Sequence, residues 1–349
     1  MLALQSLTPE ALSRACGLNG HEGRKIIAAV HRGDWTDSGP SKPLQGVRRT
    51  SLSAVAAASH VPVLEIRSAR RSALDPFVKL ALATADGHVI EAVRIPLERA
   101  GRFSACVSSQ AGCALGCTFC ATGRRGLSRN LETWEIVEQV RLVRKTLGAG
   151  ERVHGVVFQG MGEPLANADR VIDAIRVMCD PSALAIDARA MTVCTSGLPS
   201  GIRRLAREVP KVRLGVSISS ARPDVRRRLM PIDSANPLEE VIDAAEEHAR
   251  VTGLAPMWAV TPLAGVNDTD DDARALADLV RRFVARTGVR PRVSVVPYNA
   301  IDAAGRDPYG RGDVMRFVAA LTASGVRPHL RYSGGSDVSA ACGQLAGIG

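Results

Sequence analysis

No apolar run in this 349-residue chain is long enough to cross a membrane. The best candidate, residues 253–267, falls short of the roughly 20 residues a spanning helix needs and is broken by Pro256 and Pro262. The opening residues, MLALQSLTPEALSRACG, lack the basic start, apolar stretch and cleavage site of a secretory signal. A cytoplasmic location with no membrane partner is the resulting expectation. Internal repeats and low-complexity tracts are missing too. With 23% charged residues and a mean hydropathy of +0.03, nothing in the composition points to global disorder. Lysine is scarce, since most of the 45 basic residues are arginine.

What the chain has is 46% hydrophobic residues, enough for one large domain and a small extra one. Its formal net charge of +10 fits a polyanionic partner, because each neutralised phosphate releases counterions. A bias of composition towards Arg and Ala accounts for the charge equally well. The eight cysteines are Cys16, Cys106, Cys113, Cys117, Cys120, Cys179, Cys194 and Cys342. Close spacing in a chain of this size points to a metal or to catalysis before structural disulfides. Cys16 and Cys179 sit in helix-like stretches and read as buried small apolar residues.

Residues 1–50 read as a helical accessory domain: SLTPEALSRACG carries Ser and Thr caps and a Pro, and HEGRKIIAAVHRG has helical spacing. A Gly/Pro/Ser-rich break follows at residues 38–45. Residues 51–98 form a β-rich extension with strand-like runs VPVLEIRS, PFVKLALAT and HVIEAVRIP, the last two joined by a turn at Asp86-Gly87. Over residues 99–349 strand and helix candidates alternate. The strands are FSACVSS, VHGVVFQ, RAMTVCT, KVRLGVSIS, LAPMWAVT and RVSVVPY; helices such as LETWEIVEQVRLVRKTL and ARALADLVRRFVA lie between most of them. About six β/α units imply an α/β fold, a partial (β/α)6 barrel of TIM type with its site at the strands' C-terminal ends.

The most specific feature is Cys113-Ala-Leu-Gly-Cys117-Thr-Phe-Cys120, a C-x-x-x-C-x-x-C loop directly after a strand. Three thiolates on a four-iron cube leave one iron without a protein ligand. That iron can chelate the amino and carboxylate groups of S-adenosylmethionine, and an electron from the cluster can then break the sulfonium C–S bond to give a 5′-deoxyadenosyl radical. The alternative is a structural zinc site with Cys106 as fourth ligand. Such sites more often pair two C-x-x-C knuckles, and no second knuckle is present. Further along, Gly160-Met161-Gly162-Glu163-Pro164 follows a strand. Its glycines let backbone approach a ligand, and Glu163 can accept hydrogen bonds from a bound ammonium.

The block ACVSSQAGCALGCTFCATGRRGLSRNLETWEIVEQV, the GMGEPLAN turn and the tail SAACGQLAG resemble the RlmN/Cfr family of radical-SAM RNA adenine methyltransferases. The resemblance covers most of the chain, including RKIIAAVHRG and HVIEAVRIP, and is strongest over residues 91–168 and 337–347. Its most specific element is the pairing of Cys106, seven residues before the cluster loop, with Cys342 in AACGQL. It implies a radical-SAM barrel with a [4Fe-4S] cluster on Cys113, Cys117 and Cys120, and two molecules of S-adenosylmethionine per turnover. Cys342 would carry the methyl group. Its methyl radical would add to adenine C2, ahead of C8, and Cys106 would resolve the adduct by closing a transient disulfide. Glu91 matches the base that removes the ring proton. The implied partners are RNA (large-subunit rRNA, with tRNA as a second substrate) and an electron donor such as flavodoxin or ferredoxin, with the enzyme a monomer.

Carried-over contacts for S-adenosylmethionine are Gly162, Glu163, Cys194, Ser196, Ser217, Ile218, Ser219 and Asn299. Several positions depart from the family. Cys194 stands for the usual first serine of its turn, and Ser219 for a histidine. Ala300 follows Asn299 where a proline is usual, and Met257 or Trp258 stands where an acid is usual. RYSGGSDVSAACGQL lacks a basic residue often found before the family's glycine. These departures keep two alternatives in view, an adenine-C8 enzyme of the resistance type and a degenerate homologue that binds RNA without methylating it. The Arg-rich stretches at Arg70-Arg71, Arg124-Arg125, Arg203-Arg204 and residues 226–228 read as solvated faces unless RNA claims them.

Overall fold

The computed structural model describes residues 1–301 and 307–347. Its first part is helical. Thr8 caps α1 (Pro9–Cys16), and an Asn19/Glu22 capping box opens α2 (Gly20–Arg32). The module does not stop at residue 50: α3 (Arg49–Ala58) belongs to it, since Val55 packs in one small core with Leu4, Leu12, Ile26, Ile27, Val30 and Trp35. The buried Glu22 holds α3 in place, accepting hydrogen bonds from the Arg48 guanidinium and the Ser51 hydroxyl.

An antiparallel meander follows: β1 (Glu65–Arg71), β2 (Val78–Ala83) and β3 (Val89–Pro96). It pairs edge-on with the first barrel strand, β4 (Arg102–Cys106). A hairpin of β5 (Gln110–Cys113) and β6 (Gly126–Asn130) carries the cysteine loop and leads into α4 (Thr133–Lys145).

Strands and helices then alternate as the sequence predicts. They are β7 (Arg152–Phe158), α5 (Ala168–Cys179), β8 (Met191–Thr195), α6 (Pro199–Glu208) and β9 (Arg213–Ser217). After β9 come the short α7 (Pro223–Leu229), α8 (Leu238–Thr252), β10 (Met257–Val260), α9 (Asp270–Thr287), β11 (Arg292–Val295), α10 (Val314–Ala323) and the two-residue β12 (His329–Leu330).

Neighbours in the sheet run β12-β11-β10-β9-β8-β7-β4-β3-β2-β1. Strands β4 and β7 to β12 are parallel, and the last three pairings, out to β1, are antiparallel. Because β4 pairs with β3 and not with β12, the barrel stays open, as a partial (β/α)6 barrel should. The helices bury one apolar stripe each; in α9 it is Ala273, Leu276, Ala277, Val280 and Phe283, at helical spacing. The main core lies between this helical layer and the sheet. Cys16 and Cys179 end α1 and α5 half-buried, so the reading of both as buried is corrected: the last turn of each helix leaves the thiol at the core's margin.

Candidate active site

The parallel register aligns the strand ends. Cys106 sits opposite Val157, Phe158 opposite Val193, Thr195 opposite Val216, Ser217 opposite Ala259, and Val260 opposite Val295. Residues at or just past these ends therefore face one cavity, as expected at the C-terminal mouth of such a barrel. Its walls include Cys113, Cys117 and Cys120 from the loop, Gly162 and Glu163 from the Gly-rich turn, Cys194, Ser196, Ser217, Ser219, Asn299 and, from the far end of the chain, Cys342. All eight cysteines are free thiols.

The Gly-rich turn is fitted against the cysteine loop. A Cβ on Gly160 would lie 2.6 Å from the Val107 carbonyl oxygen, and one on Gly162 (φ +94°) 2.5 Å from the Gln110 side chain. The Glu163 amide donates to Gln110 Oε1 at 2.8 Å, while its carboxylate accepts from the amides of Leu165 (3.0 Å) and Ser196 (2.8 Å). Burial raises the Glu163 carboxyl above the usual range, and the donors from Ser196, Thr195 and Leu165 oppose that. A buried carboxylate with no basic side chain beside it among the described residues suits a cationic ligand such as an ammonium.

Burial pushes Cys113 up to about 11 and Cys117 up to about 12. Thiols so placed become good ligands when a metal centre supplies the compensating positive charge. Cys117 Sγ also lies 4.0 Å from Ser196 Oγ. Among the described residues no three His, Cys, Asp or Glu side chains converge on a point that one ion could fill. The triplet lines a cavity instead, and three thiols beside a buried carboxylate fit a [4Fe-4S] cluster with S-adenosylmethionine.

Cys342 is tied to this site by its backbone. Asn299 Nδ2 donates to its carbonyl oxygen (3.3 Å) and to Ser333 Oγ (2.7 Å). The Ala121 amide donates to the Gly343 carbonyl (2.8 Å), Thr122 Oγ1 to that of Leu345 (2.5 Å), and Arg125 to that of Ala346. Gln344 reaches the Ala300 carbonyl at 2.8 Å. The tail is thus laced onto the strand end that carries Asn299 and onto the segment just after Cys120.

A second cavity adjoins the first and is bordered by Cys106, Gln159, Arg331 and Cys342. Burial raises the thiols of Cys106 and Cys194, desolvation by its neighbours raises that of the exposed Cys342, and the Arg331 cation acts on all three in the opposite direction. Among the described residues the only side-chain acceptor near its guanidinium is Met257 Sδ, 3.6 Å away. Of the two residues at which an acid was expected, one borders this arginine. Met257 faces the barrel interior, where its methyl approaches Gly215 beside Cys194, whereas Trp258 packs edge-on against Phe283 with ring centroids 5.1 Å apart. With methionine there, Arg331 faces thiols and has no carboxylate partner among the described residues.

Cys106 borders only the second cavity, and two further expected site residues line neither. Ile218 is fully buried, and only its backbone serves the site. Glu91 is fully buried rather than exposed on its strand; Lys79 Nζ lies 3.0 Å from one carboxylate oxygen, and the amides of Ala346 (2.8 Å) and Gly347 (3.2 Å) donate to the other. Ser219 holds a left-handed φ of +55°, an uncommon conformation that its partner Asn267 braces by donating to its carbonyl at 2.6 Å.

Sequence reasoning missed Arg226. It is fully buried, donates to Asp233 (2.9 Å), and bonds the carbonyls of Ser196 and Ser217 (both 2.8 Å) and Ile218. It pins two strand ends under the site and is no part of a solvated arginine face; the flanking Pro223 and Asp233 gave no signal of this. Arg203 and Arg204 are engaged by Glu247, Asp169 and Glu208.

The Radical SAM superfamily model matches residues 107–280. A probable RNA methyltransferase of Sorangium cellulosum is 57% identical over 97% of this chain and 91% of its own length. A probable dual-specificity RNA methyltransferase RlmN of Moorella thermoacetica is 38% identical over 98% and 96%. A crystal structure of a radical SAM methyltransferase from Sphaerobacter thermophilus superposes with a TM-score of 0.87 at 33% identity, over 100% of both chains. The thiol triplet at the mouth of an open barrel and these full-length similarities lead to one conclusion: the chain belongs to the RlmN/Cfr family of radical-SAM RNA methyltransferases.

Proposed function

We propose that this enzyme methylates a ring carbon of adenine in large-subunit rRNA, at C2 ahead of C8, and accepts tRNA as a second substrate. The observation that carries the reading is the position of Cys342, which borders both the cavity of the cysteine triplet and the one containing Cys106. A thiol in that position can collect a methyl group on one side and be resolved on the other. The Moorella relative's description as a dual-specificity RNA methyltransferase supports the pair of RNA substrates.

Cys113, Cys117 and Cys120 would hold the [4Fe-4S] cluster, which supplies the single electron that splits the sulfonium of S-adenosylmethionine. Glu163 receives the cofactor's ammonium, with Gly162 giving backbone access. Ser196, Ser217 and Ser219 offer hydroxyls, Ile218 its backbone, and Asn299 its amide; Cys194 presents a thiol where relatives have a hydroxyl. Cys342 Sγ takes up the methyl group. That carbon gives up one hydrogen atom to the radical the cleaved cofactor would supply and bonds to the base. The Cys106 thiolate then attacks Cys342 Sγ: an S–S bond forms as the S–C bond breaks, the electron pair left on the carbon takes up a proton to complete the methyl group, and the surplus electron would return to the cluster. Glu91 takes the ring proton after Lys79 and the tail amides release its carboxylate. The enzyme works as a cytoplasmic monomer reduced by a flavodoxin or ferredoxin.

Nucleoside mass spectrometry on rRNA and tRNA from a strain lacking the protein tests this reading. Loss of 2-methyladenosine is expected, restored by the wild-type gene and not by Cys342→Ala. Loss of 8-methyladenosine would move the product to C8, and unchanged methyladenosines would overturn the assignment.

A further inference from the structure

Beside the two cavities runs an open groove bordered by Asn299, Arg311, Met315, Leu330, Arg331 and Tyr332. It shares Asn299 with the main cavity and Arg331 and Tyr332 with the second, so it leads directly to Cys342. Three of its residues are large apolar side chains left in water: Tyr332 is 72% exposed, Met315 66% and Leu330 42%. Tyr332 is the single exposed aromatic among the described residues.

Exposure usually leaves a side chain free to rotate, but this ring is held. Its hydroxyl donates to Asp75 Oδ2 at 2.9 Å, and it meets Phe77 edge-on with centroids 6.5 Å apart. A Cβ on Gly334 would come within 2.4 Å of Phe77 and 2.7 Å of Tyr332, so no larger residue fits behind the ring. The same Asp75 oxygen accepts from the Gly335 amide at 2.9 Å. Arg311 and Arg331 have no carboxylate partner among the described residues, whereas Arg203, Arg204, Arg222 and Arg226 are all paired.

A fixed, exposed ring flanked by unpaired guanidinium groups is the equipment of a single-strand binding surface. Aromatic faces stack bases without regard to sequence, and arginines follow the phosphates. We propose that this groove holds the unpaired RNA next to the target adenine, with a flanking base stacked on Tyr332 and the adjoining phosphate on Arg311. The inference rests on RNA being the substrate and adds to it which strand conformation is recognised and by what. Charge complementarity favours RNA, and the groove's opening onto Cys342 places the bound strand beside the methyl carrier.

Fluorescence anisotropy on the full-length, cluster-loaded protein tests it, with a short fluorescein-labelled, adenine-rich single-stranded RNA as probe. Tyr332→Ala should weaken binding about tenfold, while Tyr332→Phe should stay within about twofold of wild type. Arg311→Gln should lower the slope of log affinity against log salt by about one. With 2-aminopurine in the RNA, wild type and Tyr332→Phe should quench its emission on binding, and Tyr332→Ala should not. Unchanged affinity and quenching in a Tyr332→Ala protein that melts like wild type would overturn the groove while leaving the enzyme's assignment intact. Slower reduction of that variant by flavodoxin, with RNA affinity unchanged, would give the groove to the electron donor and overturn the proposal equally. A wild-type protein that fails to bind the RNA at all would remove both the substrate reading and the groove.

Discussion

At the scale of single residues, the site depends on side chains that never touch a ligand. Arg226 is the clearest. Its guanidinium is buried with Asp233 and spends its remaining donors on the carbonyls of Ser196, Ser217 and Ile218. Desolvation holds its affinity for a proton below the usual arginine value, and Asp233 acts against that. Replacing it with methionine would strand a buried carboxylate and three carbonyls. Arg226→Met should cost about 3–5 kcal/mol of stability in denaturant titration, with a weaker grip on S-adenosylmethionine by equilibrium dialysis. None of this was legible beforehand, because Arg226 stands in a run of three arginines whose periodicity is that of an exposed helix face. That Cys113, Cys117, Cys120 and Cys342 gather at one cavity was legible, because spacing and neighbouring residues announce them. Glu91 was legible as a position but not in its surroundings, since Lys79 lies a strand away and the tail amides come from about 255 residues further on.

Between elements, the decisive contact is that of the Gly-rich turn with the hairpin that carries the cysteines. Gly162 is left-handed, and its α-carbon backs onto Gln110, which in turn receives the Glu163 amide. Gly162→Ala would force apart two loops that line one cavity. The strain should cost about 1–3 kcal/mol, seen as a lower melting temperature, together with loss of S-adenosylmethionine affinity because Glu163 moves with the turn. The strands and helices of the barrel could be read from their periods: β2, β7, β8 and β9 are apolar runs, and α5, α8 and α9 have clean stripes. Elements without a period were missed. The sequence of α6, PSGIRRLARE, is crowded with arginine; β6 is almost wholly exposed; and β12 is two residues long. Likewise, α3 was assigned to the extension, because only its packing on α2 reveals where it belongs.

For the molecule as a whole, two cores meet along α4, where Arg141 pairs with Glu138 and donates to the Val30 carbonyl at 2.9 Å. Stability at the acid end should be set partly by buried imidazoles. His248 lies fully inside α8's packing face, and burial lowers its affinity for protons to about 4. The unfolded chain takes up that proton near pH 6.5, and the folded chain does not until about 4. Stability therefore falls as pH drops through this window, by an upper bound of about 3 kcal/mol from this group. His248→Leu should flatten the dependence of unfolding free energy on pH between those values, and an unchanged slope would exclude His248 as its source.

The lacing of residues 343–346 onto residues 121–125 also bears on how the enzyme matures. Residues 343–346 close beside the pocket that, under the proposed function, would receive iron and sulfide. Delivery of the inorganic centre therefore belongs before that closure, while the nascent protein still stands open, or has to wait for the clasp to be undone. Under the proposed function, assembly and turnover would then share one segment, because the tail that borders the cofactor's entrance is the tail that would carry the methyl group.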